Sequence, residues 1–213
     1  MAPYNRRPLA SMHAMPPADS HQASLAGFDA PRATDRLFFA VMPPAAVAER
    51  IAKLAEHVRA QFGLSGRPRP TGHLHVTLHH LGDFAGLPAQ RIAAASAAAA
   101  ELRVAAFAAR FERVGSFAGR AARSPCVLLG DPAAAGWTHL HGELGKRLAA
   151  AGVLRPERAF VPHVTLLYDA RAIATQPVDP IDWPVRELLL IHSLLGRTEY
   201  RVLGRWPLAG VAD

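Results

Sequence analysis

The chain has 213 residues, half of them hydrophobic and 19% charged, enough for a sizeable core and unlike the composition of a disordered chain. Its 24 Lys and Arg against 17 Asp and Glu leave a net charge of +7, which favours anionic partners such as RNA, nucleotides or phosphoesters. A single cysteine excludes an internal disulfide, and no apolar run reaches the ~20 residues that cross a bilayer, so a cytoplasmic protein with no membrane partner is expected.

Residues 1–34 mix Pro, Ser, Ala and Met without periodicity, and no apolar stretch follows Arg6 and Arg7. They read as a flexible tail rather than a secretory signal, with one folded domain over 35–213. Arg36–Met42 is an apolar run of strand length. Pro43 and Pro44 stop it, and Pro44 can open a helix that runs to about Phe62 before Gly63. Gly66–Pro70 reads as a stiff basic loop leading to a strand at 72–81. Residues 88–103 form a helix on alanine propensity. Strands follow near 104–114 and 124–130, joined through 115–123, with Cys126 read as a buried strand residue. A third helix spans Gly136–Ala151, then a strand 160–168, and two closing strands, Arg186–Ser193 and Tyr200–Pro207, meet at a turn on Gly196. Strands and helices alternate and then loosely repeat, which predicts α+β architecture in two similar lobes.

Two of these strands share a phrase, His-Val-Thr-Leu, at 75–78 and 163–166. Alternate side chains of a strand face opposite ways. Leu74, Val76 and Leu78 then form a core face, and His73, His75, Thr77 and His79 the other. In the second strand Val164 and Leu166 face the core, and His163 and Thr165 share the opposite side. Each strand thus projects a His and a Thr from a rigid mount. Two imidazoles can serve as general acid and general base near one pH, and threonine hydroxyls can donate to phosphate oxygens. That set suits phosphodiester cleavage without a metal or cofactor. A zinc site on His73, His75 and His79 is the competing chemistry; the second phrase lacks a matching His-x-His pair and the nearby carboxylate, Asp83, sits past Gly82 in a turn, so no metal is expected.

With these phrases and their flanks, the sequence resembles the 2H phosphoesterase superfamily, in its bacterial 2′-5′ RNA ligase / RNA 2′,3′-cyclic phosphodiesterase branch. The resemblance is carried by Arg36–Ala40, by Leu74–Leu78 with Leu81-Gly82-Asp83, by Phe160–His163 leading into the second motif, and by Leu203–Leu208. It spans roughly 35–208. It implies a bilobal α+β fold of two pseudo-symmetric antiparallel-sheet lobes with outer helices, each lobe giving one motif to a central cleft. It also implies metal-independent hydrolysis of 2′,3′-cyclic phosphates, at RNA ends or on nucleotides, to 2′-phosphates. Ligation of a 5′-hydroxyl into a 2′-5′ bond would be the accompanying reaction. His75 would donate the proton to the leaving 3′ oxygen, His163 would accept one from water, and Thr77 and Thr165 would hold the phosphate. Two positions depart from the pattern. Tyr168 and His79 stand where many relatives carry arginine, and both are expected at the substrate. Arg67, Arg69, Arg120 or Arg123 are the loop cations that could compensate.

A monomer acting on RNA or a nucleotide with a 2′,3′-cyclic phosphate is the leading expectation. A 2′-5′ oligonucleotide phosphodiesterase would use the same four residues. A non-catalytic RNA- or nucleotide-binding protein on the same fold would not need a poised acid and base.

Overall fold

The computed structural model describes residues 32–117, 123–154 and 160–209. The elements in chain order are β1 (Asp35–Val41), α1 (Ala45–Gln61), a 3-10 turn (Thr71–His73), β2 (Val76–Phe84), α2 (Ala89–Ala100), β3 (Phe107–Ser116) and β4 (Ser124–Gly130). After them come α3 (Ala135–Ala150), β5 (His163–Asp169), β6 (Gln176–Val185), β7 (Glu187–Leu194) and β8 (Glu199–Pro207). The tail expected over 1–34 lies almost wholly outside the described residues. At its end Thr34 is already tied in: its N–H donates to Phe84 O and its carbonyl accepts from Leu195 N, both at 2.8 Å.

The eight strands run in the order β6-β3-β4-β5-β2-β1-β7-β8, and every strand pairing is antiparallel. The central junction is narrow. β2 and β5 pair at Val76↔Val164 alone, so the sheet divides into two four-stranded halves hinged at the two motifs. The first half combines β1 and β2 with the last two strands, and the second is built from β3–β6. The expected lobes are present, although the chain does not divide between them at its midpoint.

The helices lie across this junction. α1 buries Ala48, Ile51, Ala55 and Val58, one face of a helix, and packs against β5 and β6 although it follows β1. α3 touches β3 and β2, and α2 touches α3 and β8. One hydrophobic core therefore spans both halves, from Leu37, Phe39 and Leu78 through Trp137 to Leu128 and Val164. A smaller cluster of Phe38, Ala40, Leu189 and Ile191 lies apart from it, with Met42 and Tyr200 against it. Cys126 is buried as expected. No helix among the described residues is long and apolar enough to cross a membrane.

β6 was not expected. Its segment contains Pro177, Pro180 and Pro184, and a proline cannot donate to a ladder. The strand forms because it is the sheet's outer edge, pairing on one side only, with β3. The signal present in the sequence is the alternation Ile181-x-Trp183-x-Val185, the three residues that β6 buries.

Candidate active site

A cavity of about 430 Å³ opens over the junction of the two halves. His75, Thr77, His163 and Thr165 all line it. The contact Val76↔Val164 makes the two motifs antiparallel neighbours, so one step along the strands sets each histidine on the side of the other motif's threonine. Val76 and Val164 are both fully buried, and they anchor the backs of the strands.

Directly after each threonine the strand bulges. β1 pairs Ala40 with Thr77 and Phe39 with His79, skipping Leu78. β4 pairs Val127 with Thr165 and Cys126 with Leu167, skipping Leu166. A bulge turns two successive residues to one side and reverses the alternation beyond them. Leu78 and His79 are accordingly both buried, as are Leu166 and Leu167. The next residue in each strand, His80 and Tyr168, returns to the cavity.

This corrects the expected position of His79. It does not reach the cavity. It is 1% exposed, its Nε2 donates to His141 O at 2.9 Å, and its ring stacks on that of His141 at 4.2 Å. The bulge also takes it off the face that carries His73 and His75. Tyr168 lines the cavity. The residue that sequence alternation missed is His80, at the matching place five residues after the first motif's histidine. Nothing in the local sequence marks the bulge; the identical spacing of the two phrases is the signal that pairs His80 with Tyr168.

The two motif histidines are held alike. His75 Nδ1–H donates to His73 O at 2.8 Å, and His163 Nδ1–H to Val161 O at 2.7 Å. Each bond fixes the tautomer and leaves Nε2 for proton exchange. Phe38 stacks on His75 at 4.9 Å, and Phe117 meets His163 edge-on at 4.8 Å. Burial lowers both imidazoles, because it disfavours the charged form. His75 is pushed down to about 4, helped by the nearby charges of Arg69, His163 and His73. His163 is lowered as well, against a small opposing effect of its bond to Val161.

Around this pair the cavity is basic and aromatic. Arg36 is held by Asp83 through two bonds of 2.7 Å, and His80 Nε2 donates to the same carboxylate at 3.0 Å. Those bonds, Arg36 first, pull the Asp83 carboxyl down to about 2. Tyr200 stacks on His73 at 4.1 Å and meets His75 edge-on at 5.6 Å. Among the loop cations, Arg69 lines the cavity, and Arg123 lies 5.8 Å over the Tyr168 ring. Arg67 is exposed and does not line the cavity, and Arg120 lies outside the described residues.

The pair His79/His141 makes a separate prediction. Burial first, then His79, lowers His141 from the ordinary 6.5 to about 4. The unfolded chain therefore binds a proton before the folded one does. This contribution to stability is intact above pH 6.5 and is lost as pH falls towards 4. His141→Phe keeps the stacking with Phe160 (4.3 Å) and removes the titration, so its urea-unfolding free energy should fall less between pH 7 and pH 4.5 than that of the wild type. Equal slopes would show that His141 takes no part in acid unfolding.

Comparisons with known proteins agree with this geometry. A family model described as the 2′-5′ RNA ligase superfamily matches residues 43–197. The RNA 2′,3′-cyclic phosphodiesterase of Escherichia coli K12 is 35% identical over 179 residues, covering 81% of this chain and 96% of that protein. The crystal structure of E. coli LigT complexed with 3′-AMP superposes with a TM-score of 0.66 at 30% identity, over 82% of this chain and 98% of that one. A Thermus thermophilus protein, TT0787, does so with a TM-score of 0.65 at 26% identity, over 82% and 98%. The paired motifs, the two half-sheets that carry them and a match along most of the sequence lead to one assignment: the chain belongs to the 2′-5′ RNA ligase superfamily.

Proposed function

We propose that the protein hydrolyses 2′,3′-cyclic phosphodiesters, at RNA ends or on nucleotides, to 2′-phosphates, using His75, His163, Thr77 and Thr165 and no metal. The observation that carries this reading is the duplicated mount. Two imidazoles with Nδ1 tied to backbone carbonyls share one cavity with two threonine hydroxyls. In the step, one histidine takes a proton from water as its oxygen attacks phosphorus. The P–O3′ bond breaks, and the other histidine gives its proton to the departing 3′ oxygen. The product carries a 2′-phosphate and a 3′-hydroxyl. Thr77 and Thr165 donate to the non-bridging oxygens, whose charge grows during the step. The resemblance assigns donation to His75 and acceptance to His163. With a 5′-hydroxyl in place of water, the same displacement forms a 2′-5′ bond. Both motifs come from one chain, so a monomer suffices.

The test offers 2′,3′-cyclic AMP, a 2′-5′ dinucleotide and a 3′-5′ dinucleotide, with EDTA throughout. Turnover of the cyclic nucleotide to 2′-AMP is expected. Cleavage of the 2′-5′ dinucleotide alone would move the assignment to a 2′-5′ oligonucleotide phosphodiesterase. Turnover that EDTA abolishes and zinc restores would overturn the metal-free chemistry. Binding without turnover of any of the three would leave a nucleotide-binding protein.

A further inference from the structure

Two guanidinium groups line the cavity among the described residues, those of Arg36 and Arg69. They differ in what neutralises them. Arg36 is committed to Asp83 through both carboxylate oxygens. Arg69 has no ion pair among the described residues; its side chain donates to His73 Nδ1 at 3.2 Å and is hydrogen-bonded to the Tyr200 side chain. Its positive charge is one of the influences that oppose a proton on His75 and on His73. A half-buried cation beside disfavoured imidazolium ions is unfavourable by itself and becomes favourable when an anion enters.

Arg69 is also held with care. Its backbone N–H donates to Leu166 O at 2.7 Å, the residue directly after Thr165. The loop before it is pinned to the end of β5: Ser65 N and Gly66 N each donate to Asp169 Oδ2 at 2.6 Å, and Ser65 Oγ at 3.0 Å. Its side chain is held by Tyr200 and aimed by His73. That ring lies flat on Tyr200 and is hydrogen-bonded to the backbone of Thr198. Thr198 sits at φ 51, a left-handed conformation that is unusual for a β-branched residue and is found at functional sites. A ring that donates to Thr198 from one nitrogen has the other as acceptor, and Arg69 fills it. Tyr168 brings no fixed charge to the β5 side of the cavity. Arg69, bonded to that strand through Leu166, does.

We propose that Arg69 contacts the substrate, its guanidinium binding a non-bridging phosphate oxygen and the charge that builds there as the P–O3′ bond breaks, and that His73 is the positioning residue that aims it. This rests on the reading of the cavity as a phosphodiesterase site. Arginine suits the role because its planar fork matches phosphate oxygens and stays charged at every working pH.

The experiment compares Arg69→Gln, Arg69→Lys, Arg67→Gln, His73→Phe and His73→Asn. Three quantities are read: kcat/KM on 2′,3′-cyclic AMP, affinity for inorganic phosphate, and the titration of His75 by NMR. Arg69→Gln should lower kcat/KM about 10²-fold, the usual worth of one donor aimed at developing charge. It should weaken phosphate binding and raise the His75 pKa without any ligand. Arg69→Lys should restore only part of the rate. Arg67→Gln, two residues away and outside the cavity, should change none of the three. His73→Phe should lower the rate, His73→Asn less because it keeps an acceptor, and neither should add to the loss in Arg69→Gln. Wild-type rate and phosphate affinity in Arg69→Gln would overturn the proposal, as would an equal loss in Arg67→Gln. Phosphate affinity and the His75 titration need no turnover. A wild type inactive on cyclic nucleotides would therefore sink the functional reading while these two measurements still judge Arg69.

Discussion

His75→Ala and His163→Ala should each lower kcat/KM on a 2′,3′-cyclic nucleotide by about 10²–10⁴, the worth of a positioned proton-transfer group. The double mutant should lose far less than the product of the two, because groups that act in one step do not partition their effects. Thr77→Val and Thr165→Val should cost less each, since one hydroxyl donor goes and the β-branched shape stays. The pH profile carries a further expectation. Both imidazoles lie below the ordinary 6.5 in the free protein, and the reaction needs one protonated and one neutral. The maximum of kcat/KM should therefore fall below pH 6.5. The limbs of kcat, which report the complex, should lie at higher pH, because a bound phosphodiester anion favours imidazolium. A kcat/KM maximum at or above pH 7 would mean that these histidines do not set the limbs.

Which histidine gives the proton is a sharper matter. The protein's own groups act hardest on His75, through burial and then Arg69, and so favour His163 as the proton carrier. That is the reverse of the assignment the resemblance implies. A bound phosphate offsets Arg69 and draws His75 back towards its ordinary value. A nitrophenyl phosphodiester, whose leaving group needs no proton, separates the two cases. Rescue of His75→Ala would make His75 the donor, and rescue of His163→Ala would make it His163. Rescue of neither would end the two-histidine mechanism.

Gly66→Ala should lower both stability and activity. A Cβ there would overlap the carbonyl oxygen of Tyr168, with the carbonyl carbon at 3.0 Å and Leu167 at 3.1 Å. The obstruction is mainly backbone, which cannot rotate aside. Overpacking of this kind costs about 1–3 kcal/mol, a fall in Tm on the order of 2–10 °C for a chain of this size. If the loop moves instead, the two N–H bonds to Asp169 and the bond from Arg69 N to Leu166 O are the ones at risk. Arg69 then leaves the cavity, and kcat/KM should fall towards the level of Arg69→Gln. Gly72→Ala, whose Cβ meets nothing within 4 Å, is the control and should stay within about 0.5 kcal/mol of the wild type. If the two variants melt and turn over alike, the loop is not seated on β5 by this contact.

Elements whose signals are local were legible in the amino-acid order alone. Arg36–Met42 reads as a strand because it is a short apolar run stopped by prolines, α1 because Pro44 can open a helix and Gly63 can end it, and the motif strands because Val76 and Val164 separate a His from a Thr. The four motif residues that line the cavity, the α+β class and the family resemblance all follow from such short-range patterns. The rest depends on pairing between distant segments. The bulges at Leu78 and Leu166 are events of pairing with β1 and β4, so no pattern inside the strand shows that His79 is buried and His80 takes its place. β6 tolerates three prolines only because it lies at an edge, and edge position is a property of the whole sheet. Arg69 and Arg67 are two residues apart in one basic loop, and the sequence does not separate them. What separates them is the seat that Leu166 and Asp169 provide on β5, about a hundred residues further along the chain, which the loop meets only once the protein has folded.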